Sequence, residues 1–296
     1  MKRRNLLWYS LVFAAGCTTG VNSPTNSSEP MTIAPPKNLK FAVTDVIGIK
    51  GLQEDYELFR TTLEEILGIK IEFFPVENTT AAAPALLSRE VDIVFAGPSE
   101  YLILNSRAKA IPIIAIERTN YHSIIVVRAD SPIKLLAQLK GKTIAMRKIG
   151  STSGHLAPTK LLIDAGLDPT TDFKTVMLDD KGVQALKKGE VDAWATASDR
   201  YKNILESEGL SEEDFVVIFK GPLLPHDVFV ASNQLASSFI VDMRSRMMNH
   251  QDKLIKSLVA TKANQKYKGS KLVIANDADY NMIREVYQKI GQGSFL

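Results

Sequence analysis

The sequence of 296 residues is poor in the groups that cross-link a chain or attract nucleic acid. Cys17 is its only cysteine, so no disulfide can form within the chain. Its 36 Lys and Arg residues nearly balance its 33 Asp and Glu residues, and the net charge at pH 7 is only +3. Because charges of both signs are interleaved, no basic stripe is present, and we expect no nucleic-acid partner.

Metal ligands and long apolar runs are scarce as well. His122, His155 and His250 show no metal-ligand spacing, so we expect neither a metal nor a cofactor. The uncharged apolar stretch at residues 6–16 is too short to span a bilayer, which takes about 20 residues. With 45% hydrophobic and 23% charged residues, the chain has the composition of an ordinary globular protein.

Residues 1–17 resemble a bacterial lipoprotein signal: a positive start and an apolar stretch precede small residues and Cys17. Ala14 stands where such signals usually carry Leu, so ordinary secretion with an incidental Cys17 remains an alternative. Residues 18–37 are rich in Ser, Thr, Asn and Pro, which predicts a disordered tether. We therefore expect a periplasmic or cell-envelope protein that is anchored to the membrane through a lipidated Cys17.

From residue 38 onward, short apolar runs alternate with amphipathic stretches, the pattern of an α/β protein. The segment Glu90-Val91-Asp92 recurs one hundred positions later as Glu190-Val191-Asp192, which favours two lobes of similar construction. We predict two lobes with mixed central sheets flanked by helices, joined by two crossover strands. Their predicted bounds are 38–120 plus 226–296 for the first lobe and 121–225 for the second.

Individual elements follow from periodicity and stop signals. Apolar positions spaced as on one helical face predict a helix over residues 55–67 that ends at Gly68. A second amphipathic helix is predicted over residues 155–165, and the last two over 239–250 and 280–290. Short apolar runs predict strands, among them residues 142–146 and 215–220.

The most informative short segment is residues 150–154, Gly-Ser-Thr-Ser-Gly, directly before a predicted helix. A hydroxyl at a helix start can simply cap the first-turn N–H groups. Free N–H groups, the positive end of the helix dipole and extra hydroxyl donors also suit an oxyanion. On this segment alone, capping and anion binding remain equally open.

Several segments together resemble the phosphate, phosphite and phosphonate-binding proteins of ABC importers, over almost all of the chain beyond the tether. This resemblance implies a two-lobed, type II-like periplasmic-binding-protein fold, a small anionic ligand, an ABC permease as partner and a monomeric protein. The matching segments lie at residues 91–98, Tyr121 with 123–132, 151–154 with Pro158, 191–193 and 221–227.

By position, the resemblance implies that Ser151, Thr152 and Ser153 hold the phosphorus-bound oxygens. Tyr121 would donate its phenol O–H to the ligand and form a wall of the cleft. Asp227 would face the ligand from the second crossover and accept a hydrogen bond from a protonated P–OH or a ligand ammonium.

Two positions depart from the family pattern. Asp179 stands where many relatives carry a ligand-facing His, and Thr79 stands where some carry Tyr. A second carboxylate near the cleft disfavours a doubly charged ligand, unless Asp179 turns away or binds an ammonium. The choice between phosphite and the various phosphonates therefore stays open.

Three other functions compete with this interpretation. The same fold could bind another oxyanion such as a sulfonate, or present its ligand to a sensor kinase. Ser131 and Lys134 fit the S-x-x-K pattern of penicillin-recognising serine enzymes, but the accompanying S-D-N and K-T-G motifs are absent. We therefore expect a binding protein, with a secreted serine hydrolase as the remote alternative.

Overall fold

The computed structural model describes residues 36–295, so Cys17, the leader and most of the predicted tether lie outside the described residues. Among the described residues, we find no helical segment with the length and apolarity that a bilayer crossing requires. The strands are β1 Asn38–Val43, β2 Lys70–Phe73, β3 Ile93–Ala96, β4 Ile111–Glu117, β5 His122–Arg128, β6 Lys142–Met146, β7 Phe173–Met177, β8 Ala193–Ala197, β9 Phe215–Leu223, β10 Asp227–Ala231 and β11 Lys271–Ile274. The α-helices are α1 Gly48–Leu67, α2 Ala82–Leu87, α3 Pro98–Ala108, α4 Ala157–Asp164, α5 Gly182–Lys188, α6 Tyr201–Ser207, α7 Ser237–Asn249, α8 Gln251–Leu258 and α9 Asn281–Lys289.

These strands form two mixed sheets. The first has the order β11-β4-β10-β3-β1-β2, and the second has the order β7-β6-β8-β5-β9. In the first sheet β1 pairs parallel with β2 and β3, whereas β10 runs antiparallel to β3 and β4. In the second sheet β6 is parallel to β7 and β8, whereas β5 is antiparallel to β8 and β9. We call the body around the six-stranded sheet the first lobe and the body around the five-stranded sheet the second lobe.

The chain passes between the two sheets through two short crossovers, residues 118–121 and 224–226. They are tied together by two hydrogen bonds. The N–H of Leu224 donates to the carbonyl of Tyr121 at 2.8 Å, and the N–H of Arg118 donates to His226 Nδ1 at 3.3 Å. Burial lowers the pKa of His226, which keeps its ring neutral and able to accept. Both crossovers therefore run side by side beneath the space between the lobes.

Aromatic rings fill the core on one face of the first sheet. The Phe95 and Phe229 rings stack with centroids 4.3 Å apart, and Phe59 from α1 stacks on Phe229 at 5.4 Å. Leu52, Phe59 and Leu63 lie on the buried face of α1 at helical spacing, which explains why this stretch folds as a helix. The core holds β10, and with it the second crossover, in place.

Helix α1 ends as predicted and starts earlier than predicted. Gly68 terminates it with φ of 66°, and its N–H bonds to the carbonyl of Glu64. The predicted start at residue 55 was wrong, because the helix begins at Gly48. A side chain at Gly51 would place its Cβ 2.8 Å from Val46 Cγ1. The lack of space for a side chain explains why glycine, a weak helix former, stands at this position of the helix. The periodicity of apolar residues does not indicate such a steric constraint.

Four more elements differ from the sequence-based expectation. Helix α8 and strand β11 were not predicted, and β9 runs on to Leu223 rather than ending at residue 220. The helix expected over residues 155–165 is preceded by a π-helical turn, Thr152–Leu156, and its α-helical part covers only Ala157–Asp164. This π turn lies between β6 and α4 and takes part in the site described next.

Candidate functional site

A cavity of about 390 Å³ lies between the two lobes and is lined by residues of both. Its wall includes loops that follow β1 and β6, the first turn of α3, the π turn and the first crossover. All seven side chains that the sequence pointed to line it: Thr79, Tyr121, Ser151, Thr152, Ser153, Asp179 and Asp227.

The π turn brings the three hydroxyls to the cavity. Gly150, with φ of 81°, turns the chain ahead of it, a conformation that suits glycine. Ser151 Oγ accepts a hydrogen bond from the N–H of Gly154 at 3.4 Å, so this side chain caps the turn as well as lining the cavity. Thr152 and Ser153 are buried, with exposures of 4% and 3%. One segment therefore combines a capping side chain with hydroxyls that line the cavity.

The first turn of α3 approaches the π turn from the opposite lobe. The N–H of Ser99 donates to Thr152 Oγ1 at 3.2 Å, which joins the two lobes directly at the cavity. Glu100, also in this turn, receives a hydrogen bond from Ser99 Oγ at 2.8 Å. Burial and then the nearby charge of Asp45 raise the pKa of Glu100 to about 7.

A buried arginine organises the crossover side of the cavity. Arg118 Nε donates to Asp199 Oδ2 at 2.7 Å, and its Nη1 donates to Asp227 Oδ2 at 3.1 Å. The guanidinium also stacks on the Tyr121 ring, with Cζ 3.4 Å from the ring centroid. Burial raises the pKa of Tyr121, so its phenol keeps its proton and remains a donor at neutral pH.

Asp227 contacts three side chains beside the cavity. Besides Arg118, its Oδ2 accepts a hydrogen bond from Tyr267 at 2.5 Å and lies 3.7 Å from Lys266 Nζ. Burial acts to raise the pKa of Asp227, but the positive charges of Arg118 and Lys266 outweigh it and lower the pKa. Its negative charge is therefore balanced by neighbouring cations rather than left bare toward the cavity.

Asp179 is balanced in a similar way. It adopts a positive φ of 51°, which directs the chain at the end of β7 toward the cavity. Its Oδ1 accepts from Arg147 Nε at 2.9 Å, and its Oδ2 lies 3.5 Å from Lys148 Nζ. The neighbouring Asp180 pairs with Arg200 Nη2 at 2.8 Å. The carboxylate that looked unfavourable in the sequence thus belongs to a network of ion pairs.

Sequence reasoning missed the cationic side chains of the cavity. They come from separate parts of the chain and form no local pattern, so no sequence signal identified them. Arg118, close before Tyr121 in the first crossover, is the one that its position could have suggested. The cationic side chains that line the cavity are Arg118, Arg147, Lys148, Arg200 and Lys266.

The S-x-x-K segment lies away from this cavity. Ser131 Oγ accepts a hydrogen bond from the N–H of Ile133 at 3.2 Å, the geometry of an ordinary turn. Neither Ser131 nor Lys134 is among the residues that line the cavity. The structure therefore gives no support to these residues as a nucleophile and its base.

Comparison with known proteins agrees with this architecture. The family model for the periplasmic substrate-binding protein of phosphonate ABC transporters matches residues 48–280. The phosphate-import protein PhnD of Mycolicibacterium smegmatis is 24% identical to this chain, and the alignment covers 96% of both chains.

Two solved structures show the same fold. PhnD1 of Prochlorococcus marinus in complex with methylphosphonate superposes with a TM-score of 0.70 at 22% identity, covering 86% of this chain and 99% of that one. The aliphatic sulphonate-binding protein SsuA of Escherichia coli superposes with a TM-score of 0.62 at 18% identity, covering 88% and 89%. Both likenesses confirm the predicted two-lobed fold. Because the family model spans most of the chain, the protein belongs to the phosphonate family of periplasmic substrate-binding proteins of ABC transporters.

Proposed function

We propose that this protein is the solute-binding component of an ABC importer and captures a phosphorus oxyanion, phosphite or a phosphonate, between its lobes. The proposed lobes are residues 38–120 plus 226–296 and residues 121–225. The observation that carries the proposal is the π turn, whose Ser151, Thr152 and Ser153 hydroxyls line a cavity shared by both lobes. Family membership supports the role in transport, and it favours a binding protein over an enzyme.

In the proposed complex the anion lies against the start of the π turn. Ser151, Thr152 and Ser153 donate their hydroxyls, and the first backbone N–H groups of the turn add further donors. Tyr121 donates its phenol O–H from the first crossover. A hydrogen bond to a charged partner contributes about 1.5–3 kcal/mol, so several of them suffice for tight binding.

The carboxylates of the cavity fit an anionic ligand because cations accompany them. Arg118 lies 3.1 Å from Asp227, and Arg147 lies 2.9 Å from Asp179, which offsets the repulsion that two bare carboxylates would cause. Asp227 remains available to accept a hydrogen bond from a protonated P–OH or a ligand ammonium. Thr79 contributes to the wall without the bulk of an aromatic ring.

We propose an open–closed cycle in which the ligand docks on the second lobe first. Closure then brings Tyr121, Asp227 and the first turn of α3 around the ligand. The hydrogen bond between Ser99 and Thr152 is formed across the lobes, so it contributes to the closed state. The ligand shifts this equilibrium only through contacts that are better made in the closed state.

A sulfonate is the second candidate ligand, because the sulphonate-binding protein SsuA shares the fold. A sulfonate carries one negative charge at neutral pH and has no oxygen left to protonate, whereas a phosphonate can carry a P–OH. Asp227 therefore gives a phosphonate monoanion a hydrogen-bond acceptor that a sulfonate cannot use. Binding of methanesulfonate as tight as that of methylphosphonate would favour the second candidate.

Delivery to the membrane completes the proposal. A lipid on Cys17 would hold the monomeric protein near its permease, and residues 18–37 would serve as the tether. This part of the proposal rests on the sequence of the leader and on the family's periplasmic role.

The test is calorimetric titration with phosphite, methylphosphonate, 2-aminoethylphosphonate, phosphate and methanesulfonate. For the ligand that binds, we expect the combined replacement Ser151→Ala, Thr152→Ala and Ser153→Ala to weaken binding by about 1,000-fold or more, since three charge-assisted bonds are lost. Ser131→Ala, outside the cavity, is the matched control and should bind normally. Near-normal affinity of the triple variant would refute the assignment.

A further inference from the structure

Glu100 belongs to the part of the cavity wall that the first lobe contributes. It lies in the first turn of α3, the turn that the Ser99–Thr152 hydrogen bond places against the π turn. Glu100 lines the same cavity that the proposed oxyanion would occupy. The resemblance to the family assigned no role to this residue.

The surroundings of Glu100 differ from those of Asp227 and Asp179. Asp227 and Asp179 each lie within 3.1 Å of an arginine nitrogen. The two charged side chains that act most strongly on Glu100, Asp45 after β1 and Asp227 in β10, are both negative. Its hydrogen-bonding neighbour is the neutral hydroxyl of Ser99, at 2.8 Å.

No cation is among the groups that act most strongly on this carboxyl group, although cationic side chains line other parts of the cavity. Helix α9 contributes Tyr287, whose pKa is raised by burial and by the charge of Glu100, so its phenol stays neutral. The π turn contributes the neutral Thr152 hydroxyl. An ionised Glu100 would therefore face a bound oxyanion with only the hydrogen bonds from Ser99 and from its own backbone N–H to offset the repulsion, in a space from which closure removes water.

The protonated form of Glu100 removes this conflict. A neutral carboxylic acid has one O–H to donate and creates no repulsion with an anion. Burial and the charge of Asp45 raise the pKa of Glu100 to about 7 already without ligand, so protonation requires little free energy at neutral pH.

We propose that Glu100 binds the phosphorus oxyanion as a neutral acid, donating its O–H to a ligand oxygen, so that binding above neutral pH takes up one proton. This inference rests on the proposed function. The proton comes from solvent and resides on the Glu100 carboxyl oxygen that faces the ligand, and no covalent bond changes. Affinity then falls as the pH rises, because a shrinking fraction of the protein is competent to bind.

The experiment compares wild type with Glu100→Gln by calorimetric titration with methylphosphonate at pH 6 and pH 8. The glutamine amide also donates to an oxyanion but cannot ionise, so the variant isolates the contribution of Glu100 from the titration of the ligand itself. With a pKa of about 7, the protonated fraction falls about tenfold between the two pH values. We expect the affinity of wild type to fall about tenfold more than that of Glu100→Gln.

Glu54→Gln, which replaces an exposed carboxylate of α1, is the control and should keep the wild-type pH dependence. Should Glu100→Gln fail to fold, carbon-13 NMR of glutamate-labelled wild type replaces it. The Glu100 side-chain carboxyl signal of the complex should then stay at its protonated position at pH 8.

The outcomes separate the two proposals. Equal pH dependence in wild type and Glu100→Gln, with clear binding in both, would overturn the role of Glu100 and leave the proposed function intact. An affinity that rises with pH relative to Glu100→Gln would also overturn it, because an ionised Glu100 would then contact a cationic part of the ligand. Absence of binding of every phosphorus oxyanion to wild type would remove the proposed function and this inference together.

Discussion

Replacing Asp227 with asparagine tests the buried charge network beneath the cavity. Asp227 is 4% exposed, and its Oδ2 contacts Arg118 at 3.1 Å and Tyr267 at 2.5 Å. Asp227→Asn keeps the shape of the side chain but removes the negative charge that Arg118 and Lys266 share. Removing one partner of a buried ion pair costs about 3–5 kcal/mol, because the other charge stays buried without it.

The lower end of this range applies here. Arg118 retains Asp199 at 2.7 Å, and Tyr267 can still donate to the amide oxygen of asparagine. We therefore expect Asp227→Asn to lower the free energy of unfolding by about 3 kcal/mol at pH 7. Urea denaturation of the ligand-free protein measures this difference directly.

Asp242→Asn is a matched control. Asp242 forms an ion pair with Arg246 at 2.9 Å, but the two side chains are 51% and 48% exposed. Exposed pairs of this kind contribute about 0–1 kcal/mol, so the same chemical change should have little effect there. A loss below 1 kcal/mol for Asp227→Asn, or an equal loss for both variants, would refute the reasoning.

The pH dependence of this difference has a definite sign. The cations around Asp227 lower its pKa in the folded protein, below the value of about 3.9 that applies in the unfolded chain. The stabilisation by Asp227 is therefore fully present above about pH 4 and is lost as the pH falls through the lower, folded value. The difference between wild type and Asp227→Asn should stay constant from about pH 5 to 7 and shrink in more acidic solution; growth on acidification would contradict the assignment.

Two further substitutions test the geometry of the second lobe and of closure. Gly154→Ala places a Cβ 2.4 Å from Arg147 Cγ, so we expect the displacement of Arg147 to lower the free energy of unfolding by about 1–3 kcal/mol in urea denaturation. A change below 0.5 kcal/mol, on the order of a neutral surface substitution, would show that Arg147 moves freely. Lys289→Ala removes a 3.0 Å contact between α9 and Asp164 of α4; because both side chains are more than 40% exposed, ligand affinity should fall by about fivefold at most in calorimetry. A loss of affinity beyond tenfold, about 1.4 kcal/mol, would contradict the treatment of this contact as a weak, exposed ion pair.

Elements whose signals are local were predictable. Strand β6 has its predicted bounds, Lys142–Met146. A short apolar run between polar residues is a local signal for a buried strand. The C-terminus of α1 was predicted as well, because Gly68 terminates a helix through its own backbone conformation. The start of α1 was not, since its first turns contain the weak helix formers Gly48 and Gly51, which local propensity does not assign to a helix.

The same distinction applies to the candidate site. The hydroxyls of Ser151–Ser153 are consecutive in the sequence and precede a helix, so their common position could be predicted from the chain alone. The environment of Asp227 could not, because its partners come from distant segments: Arg118 is 109 positions and Tyr267 is 40 positions away. Sequence proximity carries no information about which cation approaches which carboxylate.

By itself, therefore, the sequence determined the α/β class and the turn that carries the hydroxyls, because propensity, periodicity and consecutive residues express these locally. Its resemblance to a known family implied the two-lobed fold. Only the tertiary structure decided the charge state of the cavity. Arg147 balances Asp179 and Arg118 balances Asp227, whereas Glu100 has no such partner among the groups that act on it most. The physical reason is that burial and Coulomb energies depend on distances through space, and the fold alone sets those distances.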